Sequence, residues 1–362
     1  MSGTSLDGVD AALVDLGAPR PHLLASLFHP YPEEFRDETL ALLQPGRAFG
    51  WSDVARLDHA IAEHFVSAVK GLLMSADTPP NAVRAIGSHG QTVWHAPESP
   101  EPNSLQLGDP ARLAVATGIP VVADFRRSDI AAGGQGAPLV PAFHAALFHD
   151  KNETRAVLNI GGIANLTCLP AYAGIPVTGF DTGPGNLLLD AWCRKHTGEP
   201  FDRDGAWART GRIDAALLAS LLAEPYFSQP PPKSTGREHF HLDWLAAHPR
   251  ARLLPPEDVQ ATLVALTAHT VADALYHHCS APVARLIVCG GGARNPVLME
   301  ALRNALPDVT VETSDDWGVP AEWMEAMAFA WLAKQRLEGR PGNLPEVTGA
   351  RRAVVLGGLY MP

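Results

Sequence analysis

The chain has 362 residues, 46% of them hydrophobic and 19% charged, with 32 Gly and 32 Pro; this length and balance fit about two globular domains and exclude fibrous, low-complexity and disordered classes. With 28 Lys and Arg against 39 Asp and Glu, the net charge of −11 offers no general basic field to a nucleic-acid backbone. Apolar runs such as 286–289 and 353–356 fall far short of the roughly 20 residues that span a bilayer, and no signal-peptide pattern opens the chain, so no membrane partner and a cytoplasmic location are expected.

The chain begins with a turn of small and hydroxyl residues, Gly3-Thr4-Ser5-Leu6-Asp7-Gly8-Val9-Asp10. Residues 11–16 and 23–28 read as strands, separated by Gly17 and two prolines that mark a turn. Val54, Leu57, Ile61, Phe65, Val69 and Leu72 recur at helical spacing and predict a helix over 52–74 with Ser52 or Asp53 as its cap. Strands at 83–87 and 120–124 are each expected to end in a polar loop, 88–92 and 125–127. Such loops are natural site material in open α/β sheets.

The second half repeats the plan. A strand at 156–160 ends in Gly161-Gly162, its partner covers 164–169, and a strand at 176–180 ends in Asp181-Thr182-Gly183-Pro184-Gly185-Asn186. Helical patterns follow at 187–197, 213–223 and 259–278; prolines 230–232 mark a loop, not a linker. A buried strand at 285–289 meets Gly290-Gly291-Gly292 before a helix at about 296–306. The four cysteines (Cys168, Cys193, Cys279, Cys289) show no Cys-x-x-Cys spacing and are expected as reduced, mostly buried thiols. Cys279 follows His277 and His278, but neighbours on a helix diverge, so no metal site is expected there.

The turn at 3–10 and the one at Gly161-Gly162-Ile163-Ala164-Asn165 can each present backbone N–H groups to a phosphate, and together they can clamp a polyphosphate from two sides. Neither holds the Gly-Lys-Ser/Thr of a P-loop. Phosphate charge is then left to amides, hydroxyls and a divalent ion such as magnesium, with Asp7 and Asp181 as outer carboxylates. The glycines at 290–292 clear the backbone for a flat ring or a phosphate, and Asn295 before Pro296 fits a helix cap without any ligand. Asp181, ionised at neutral pH, is a general-base candidate; its plain alternative is an acid that stabilises its own loop.

Two hairpin phosphate turns, an acid and a Gly-Gly-Gly loop resemble the actin-like ATPase superfold of sugar and acetate kinases, heat-shock chaperone ATPases and actin. Further spellings narrow the resemblance: Gly87-Ser88-His89-Gly90-Gln91-Thr92-Val93-Trp94-His95, Asp124-Phe125-Arg126, Leu158-Asn159-Ile160-Gly161-Gly162, Cys289-Gly290-Gly291-Gly292-Ala293-Arg294-Asn295-Pro296, Glu325-Ala326-Met327-Ala328 and Val347-Thr348-Gly349-Ala350. With the turn at 3–10 and the Asp181 segment, they are similar to the anhydro-N-acetylmuramic acid kinase family over essentially the whole chain. In that family a complete strand precedes the first phosphate turn. Here only Met1 and Ser2 precede Gly3, so either the coding start lies upstream or the first hairpin is frayed.

The resemblance implies an α/β fold of two lobes, 1–128 with 341–362 and 129–340, as duplicated mixed-sheet domains around a central ATP cleft. It implies an enzyme that uses ATP, Mg2+ and water to open 1,6-anhydro-N-acetylmuramic acid and phosphorylate O6, in cell-wall recycling and amino-sugar degradation. Asp181 is the implied catalytic base. The nucleotide falls to Gly3, Thr4, Ser5, Leu6, Asp7, Gly8, Val9, Asp10, Asn159, Gly161, Gly162, Asn165, Gly183, Gly185, Asn186, Gly290, Gly291, Gly292 and Asn295. The sugar falls to Ser5, Asp10, Gln91, Thr92, Arg126, Asp181 and Glu325, with Arg126 matching the lactyl carboxylate. Magnesium arrives with ATP and needs no protein-only site. A homodimer is expected; a plain hydroxyl kinase for another sugar, or an actin-like ATP-switched binding protein, are the alternatives.

Overall fold

The chain opens on an antiparallel hairpin in which β1 (Gly8–Asp15) pairs with β2 (His22–Pro30) from Gly8↔Pro30 to Asp15↔His22. Met1 adds to it: its amine donates to the Asp10 carbonyl at 2.8 Å and its own carbonyl accepts from Asp10 N–H at 2.9 Å. The hairpin is therefore not frayed. A Cβ on Gly8 would lie 2.5 Å from the His29 carbonyl and 2.7 Å from the Phe28 ring, so packing across the hairpin fixes that glycine. This computed structural model describes all residues but 4, 5, 19, 44–49 and 173; the expected phosphate-turn residues Thr4 and Ser5 lie outside the described residues.

Helices α1 (Glu33–Leu42) and α2 (Trp51–Ser75) follow. Leu57, Ile61 and Phe65 of α2 are buried in the first core and Leu72 is buried as well, as their spacing requires. The cap is Gly50, not Ser52 or Asp53: Asp53 sits in the first turn and accepts from Gly50 N–H at 2.9 Å. β3 (Ile86–Gly87) is shorter than the apolar run suggested. Beyond it the expected loop holds at residues 88–90 and is cut short at Gln91, where the hairpin of β4 (Gln91–Ala96) and β5 (Asn103–Leu107) begins, since Thr92, Val93 and Trp94 favour extended backbone. After α3 (Pro110–Thr117) and β6 (Val121–Ala123), the second expected loop is the helix α4 (Phe125–Ala131). Asp124 takes φ 59 at that junction, a left-handed conformation that turns the strand into the helix.

α5 (Val140–Phe148) leads to the second compact unit, His144–Glu322. Its sheet has the order β11-β10-β7-β8-β9, formed by β7 (Arg155–Ile160), β8 (Ile163–Leu169), β9 (Thr178–Pro184), β10 (Arg285–Cys289) and β11 (Thr310–Thr313). β11, β10 and β7 run parallel, and β8 and β9 are antiparallel. Ala156, Val157, Leu158, Leu286, Ile287 and Val288 are fully buried, which is why these runs do not alternate. The helices are α6 (Asn186–Thr197), α7 (Ala215–Leu222), α8 (Leu242–Ala246), α9 (Pro256–His278) and α10 (Pro296–Ala305). β9 extends beyond its expected end, so Asp181 stands within a strand and not in a loop after one.

Cys168 on β8 and Cys279 at the end of α9 form a disulfide with their Cα atoms 5.7 Å apart. This corrects the reading of four reduced thiols: 111 residues of sequence separation concealed two positions that the fold places side by side. Cys193 and Cys289 are free and buried.

The last forty residues, Trp323–Pro362, rejoin Met1–Phe143 as the first unit. They supply α11 (Met324–Leu337), α12 (Pro345–Thr348) and β12 (Gly358–Tyr360), which pairs with β6 in the order β12-β6-β3. A Cβ on Gly87 would collide with the Phe329 carbonyl, so β3 and α11 touch backbone to backbone. The divisions thus fall after residues 143 and 322 and not after 128 and 340, and α11, with Glu325, belongs to the first unit.

Candidate active site

In the second unit, the β7–β8 turn is pinned to the start of α6. The Gly162 carbonyl accepts from Gly185 N–H at 2.9 Å and Leu187 N–H at 3.0 Å, and the Gly161 carbonyl accepts from Asn186 N–H at 2.8 Å. Asn186 Nδ2 donates to the Ile160 carbonyl at 3.2 Å. A Cβ on Gly185 would lie 2.5 Å from the Gly161 oxygen, so Gly185 serves this contact. Glycines 161 and 162 differ, since a Cβ on either meets nothing within 3.5 Å. Their backbone is open to approach.

The loop after β10 divides in the same way. A Cβ on Gly290 (φ 79) would collide with Asn159 Oδ1, and one on Gly292 with Ile160. Both glycines are there so that the loop can lie on β7. At Gly291 the nearest atom is Asn186 Nδ2 at 3.9 Å, leaving it as the open position of the three. Asn295 caps α10, its Oδ1 accepting from Val297 N–H at 3.0 Å and Leu298 N–H at 3.2 Å. That is the ligand-free role expected for it.

Asp181 lies opposite Asn165 in the β8–β9 ladder. Asn165 Nδ2 donates to Oδ1 at 2.9 Å and Thr235 N–H donates to Oδ2 at 3.0 Å. Burial raises the carboxyl above its ordinary range, these two hydrogen bonds pull it back down, and the charge of Glu238 raises it again. The outcome is an oriented carboxylate of raised basicity. Asn165, read as a nucleotide contact, is spent here on the acid, and Gly183 (φ 150) makes room for the Phe227 ring.

The segment after Pro230, expected only as a loop, brings groups to Asp181 that the sequence does not reveal. The Lys233 carbonyl accepts from Asp181 N–H at 3.2 Å, and Tyr226 Oη donates to the Asp181 carbonyl at 2.9 Å. Lys233 Nζ donates to the Phe227 carbonyl at 3.0 Å, and burial lowers its pKa. The one signal was a lysine, a serine, a threonine and a glycine directly after three prolines, in a chain with few lysines.

In the first unit, Arg126 on α4 is held on three sides. Nε and Nη2 approach His89 Nε2 at 3.3 and 2.8 Å, and Nη1 donates to the Gly136 carbonyl at 2.8 Å. His89 is buried, and its Nδ1 lies 2.9 Å from the Gly90 carbonyl. A proton on Nδ1 leaves Nε2 as an acceptor for the arginine. Burial and the arginine charge together keep this imidazole well below its ordinary pKa. Burial lowers Arg126 itself to about 10, opposed by Glu325 on α11, so it stays charged at neutral pH. Three of its five N–H groups are used, leaving one hydrogen on each terminal nitrogen. Arg127 instead pairs with Asp124 at 3.0 Å on the surface.

Gln91 is buried, its carbonyl oxygen accepting from Ser2 Oγ at 2.5 Å and its amide donating to the Thr92 carbonyl at 3.3 Å. Tyr31 Oη donates to the same Ser2 hydroxyl at 3.0 Å. Thr92 Oγ1 accepts from Gln106 at 3.3 Å. Leu6 is buried with φ 53, and its N–H donates to the Gly3 carbonyl at 3.3 Å. Asp7 is exposed at that turn, Val9 is buried and Asp10 half-buried. A cavity of about 780 Å3 in this unit is lined mainly by apolar residues of β1, α2 and α11; of the sugar candidates among the described residues it includes only Asp10.

The family model for anhydro-N-acetylmuramic acid kinase matches residues 1–362. The chain belongs to the anhydro-N-acetylmuramic acid kinase family. The kinase of that name from Chromohalobacter salexigens is 53% identical over 365 residues, covering 99% of this chain and 98% of the relative. The one from Saccharophagus degradans is 50% identical, covering 100% and 98%, and the one from Xanthomonas campestris pv. campestris is 51% identical, covering 99% and 96%. Among solved structures, the PilM–PilN type IV pilus biogenesis complex covers 91% of this chain and 96% of its own at a TM-score of 0.46 and 14% identity, too loose a likeness to argue from. Membership of the anhydro-N-acetylmuramic acid kinase family agrees with the α/β architecture and mixed sheets described above.

Proposed function

We propose that this sugar kinase takes ATP, water and 1,6-anhydro-N-acetylmuramic acid to N-acetylmuramic acid 6-phosphate and ADP, in cell-wall recycling and amino-sugar degradation. The observation that carries the mechanism is Asp181, a half-buried carboxylate of raised pKa fixed by Asn165 and Thr235. Asp181 accepts a proton from the water that attacks the anomeric carbon; the C1–O6 bond breaks, and the released O6 takes the phosphoryl group. The proton then leaves Asp181 for solvent. ATP with Mg2+ supplies that phosphoryl group and part of the charge neutralisation.

The open backbone at Gly162 and Gly291 fits a nucleotide phosphate, which needs N–H donors and no intervening side chain, while Gly161, whose N–H donates to the Ile163 carbonyl at 3.2 Å, contributes space at the turn. Glycines 290, 292, 185 and 183 and the residues Asn159, Asn186 and Asn295 hold that frame. The turn at 3–10 is proposed as the second phosphate contact. On the sugar side, Arg126 offers two hydrogens to the lactyl carboxylate, while Asp10, Gln91, Thr92 and Glu325 contact hydroxyl and amide groups. The enzyme is proposed to work as a homodimer in the cytoplasm.

Turnover in water enriched with heavy oxygen tests this reading. Label at the anomeric oxygen of the product, absent with Asp181→Asn, is expected. Phosphorylated sugar formed without label points to a plain hydroxyl kinase, and no turnover of the anhydro sugar overturns the proposal.

A further inference from the structure

One buried carboxyl group has no part in the mechanism above. Asp129, on the last turn of α4, is completely buried. Its Oδ2 accepts from Gly136 N–H at 2.8 Å, and its Oδ1 accepts from Asn343 Nδ2 at 2.6 Å and Thr348 Oγ1 at 2.7 Å. Its backbone carbonyl accepts from Gly134 N–H at 2.9 Å. A Cβ on Gly134 would collide with the Asp129 carboxyl group, and Gly136 adopts φ 70, so the 133–136 loop is folded tightly around this one side chain.

Two further bonds tie the loop to the C-terminal segment. Gln135 N–H donates to the Thr348 carbonyl at 2.8 Å and Arg351 N–H donates to the Ala132 carbonyl at 2.9 Å. Asn343 is fixed in turn, its Oδ1 accepting from Val354 N–H at 2.8 Å. The product of this lacing is the direction of one carbonyl, that of Gly136, which receives Arg126 Nη1. His89 holds the other edge of the guanidinium. The arginine fork thus points where the Gly136 carbonyl and His89 jointly aim it, and only the Gly136 side depends on Asp129.

We propose that Asp129, with Thr348 and Asn343 as its anchors, is a positioning residue that sets the Arg126 fork through the Gly136 carbonyl and so selects sugars bearing a carboxylate. This assigns a role to the Val347-Thr348-Gly349 segment, which the mechanism leaves without one. It rests on the reading of Arg126 as the group that takes the sugar carboxylate. A fork misaimed by a fraction of an ångström loses the bidentate geometry while keeping its charge, so the effect falls on sugar recognition and not on phosphoryl transfer.

The test compares steady-state kinetics of Thr348→Val, Thr348→Ser, Asp129→Asn and Arg126→Lys on 1,6-anhydro-N-acetylmuramic acid and on 1,6-anhydro-N-acetylglucosamine, which lacks the lactyl carboxylate. Thr348→Val keeps the shape of the side chain and removes one donor, so it retains the fold even where Asp129→Asn does not. Its KM for the acid sugar is expected to rise about tenfold, with kcat and the KM for ATP unchanged, no effect on the sugar lacking the carboxylate, and recovery in Thr348→Ser. If Arg126→Lys raises that KM and Thr348→Val does not, the positioning role is overturned while the Arg126 reading stands. If Arg126→Lys leaves it unchanged, the Arg126 reading fails and the proposal with it. An equal rise for both sugars, or for ATP, reduces Asp129 to a structural role and overturns the proposal.

Discussion

Asn165 Nδ2 lies 2.9 Å from Asp181 Oδ1, across a register pair of the β8–β9 ladder. A carboxylate built into a strand is oriented by the sheet itself, and its side-chain partner Asn165 also tunes it. Burial favours the protonated form of Asp181, and the Asn165 bond favours the ionised one.

Replacing Asn165 by Leu therefore raises the Asp181 pKa further. Because only the ionised carboxylate accepts a proton, the acid limb of kcat moves to higher pH, by about one unit for a lost hydrogen bond to a charged group. A pH–rate profile superimposable on wild type would remove Asn165 from the catalytic unit.

Two adjacent glycines separate packing from the proposed nucleotide contact. Gly292→Ala pushes a methyl into Ile160 and is expected to cost about 2 kcal/mol or more of stability. Gly291→Ala has space and is expected to leave the melting temperature near wild type while raising the KM for ATP severalfold. Thermal unfolding alongside ATP titration checks both; the reverse pattern contradicts the assignment.

Arg126 and Arg127 also divide. Arg126→Lys loses the fork between His89 and Gly136 and is expected to raise the sugar KM about tenfold or more. Arg127→Ala, which removes an exposed pair with Asp124, is expected to change stability by no more than about 0.5 kcal/mol and KM not at all. Equal effects of the two substitutions count against the sugar-side reading.

His144 gives the stability curve an acid slope. It is completely buried, with Nδ1 3.0 Å from Thr167 Oγ1, and burial pushes its pKa down to about 3. With the folded value depressed, its contribution is fully present above the unfolded value of about 6.5 and is lost as pH falls toward 3. The loss reaches about 3 kcal/mol near pH 4. Urea unfolding at pH 7, 5 and 4 is expected to show a flatter decline for His144→Gln than for wild type; parallel declines would falsify this assignment.

Much of the fold was legible because secondary structure leaves a local period. Helix α2 was readable from apolar residues three and four apart, and β7 and β10 from short unbroken apolar runs. The Asn295 cap was readable because its partners are two and three residues away. The β4–β5 hairpin was missed where functional spelling suggested a loop, and α4 where two arginines did.

The candidate site was legible as a set of residues and not as a set of contacts. Sequence pointed to Asp181 and Arg126 and left out Lys233, Thr235 and Asp129, whose chemistry is ordinary until the chain folds. By itself, then, the sequence determined the α/β class, the family and locally periodic elements such as α2, β7 and β10. The tertiary structure alone decided that Asn165 and Thr235 hold Asp181, that glycines 290 and 292 serve packing while 291 stays open, that Cys168 meets Cys279, and that Thr348 reaches Asp129. Periodicity and caps are written within a few residues of chain, whereas each of these pairings joins segments 16 to 219 residues apart, and only the packing of strands and helices brings such segments together.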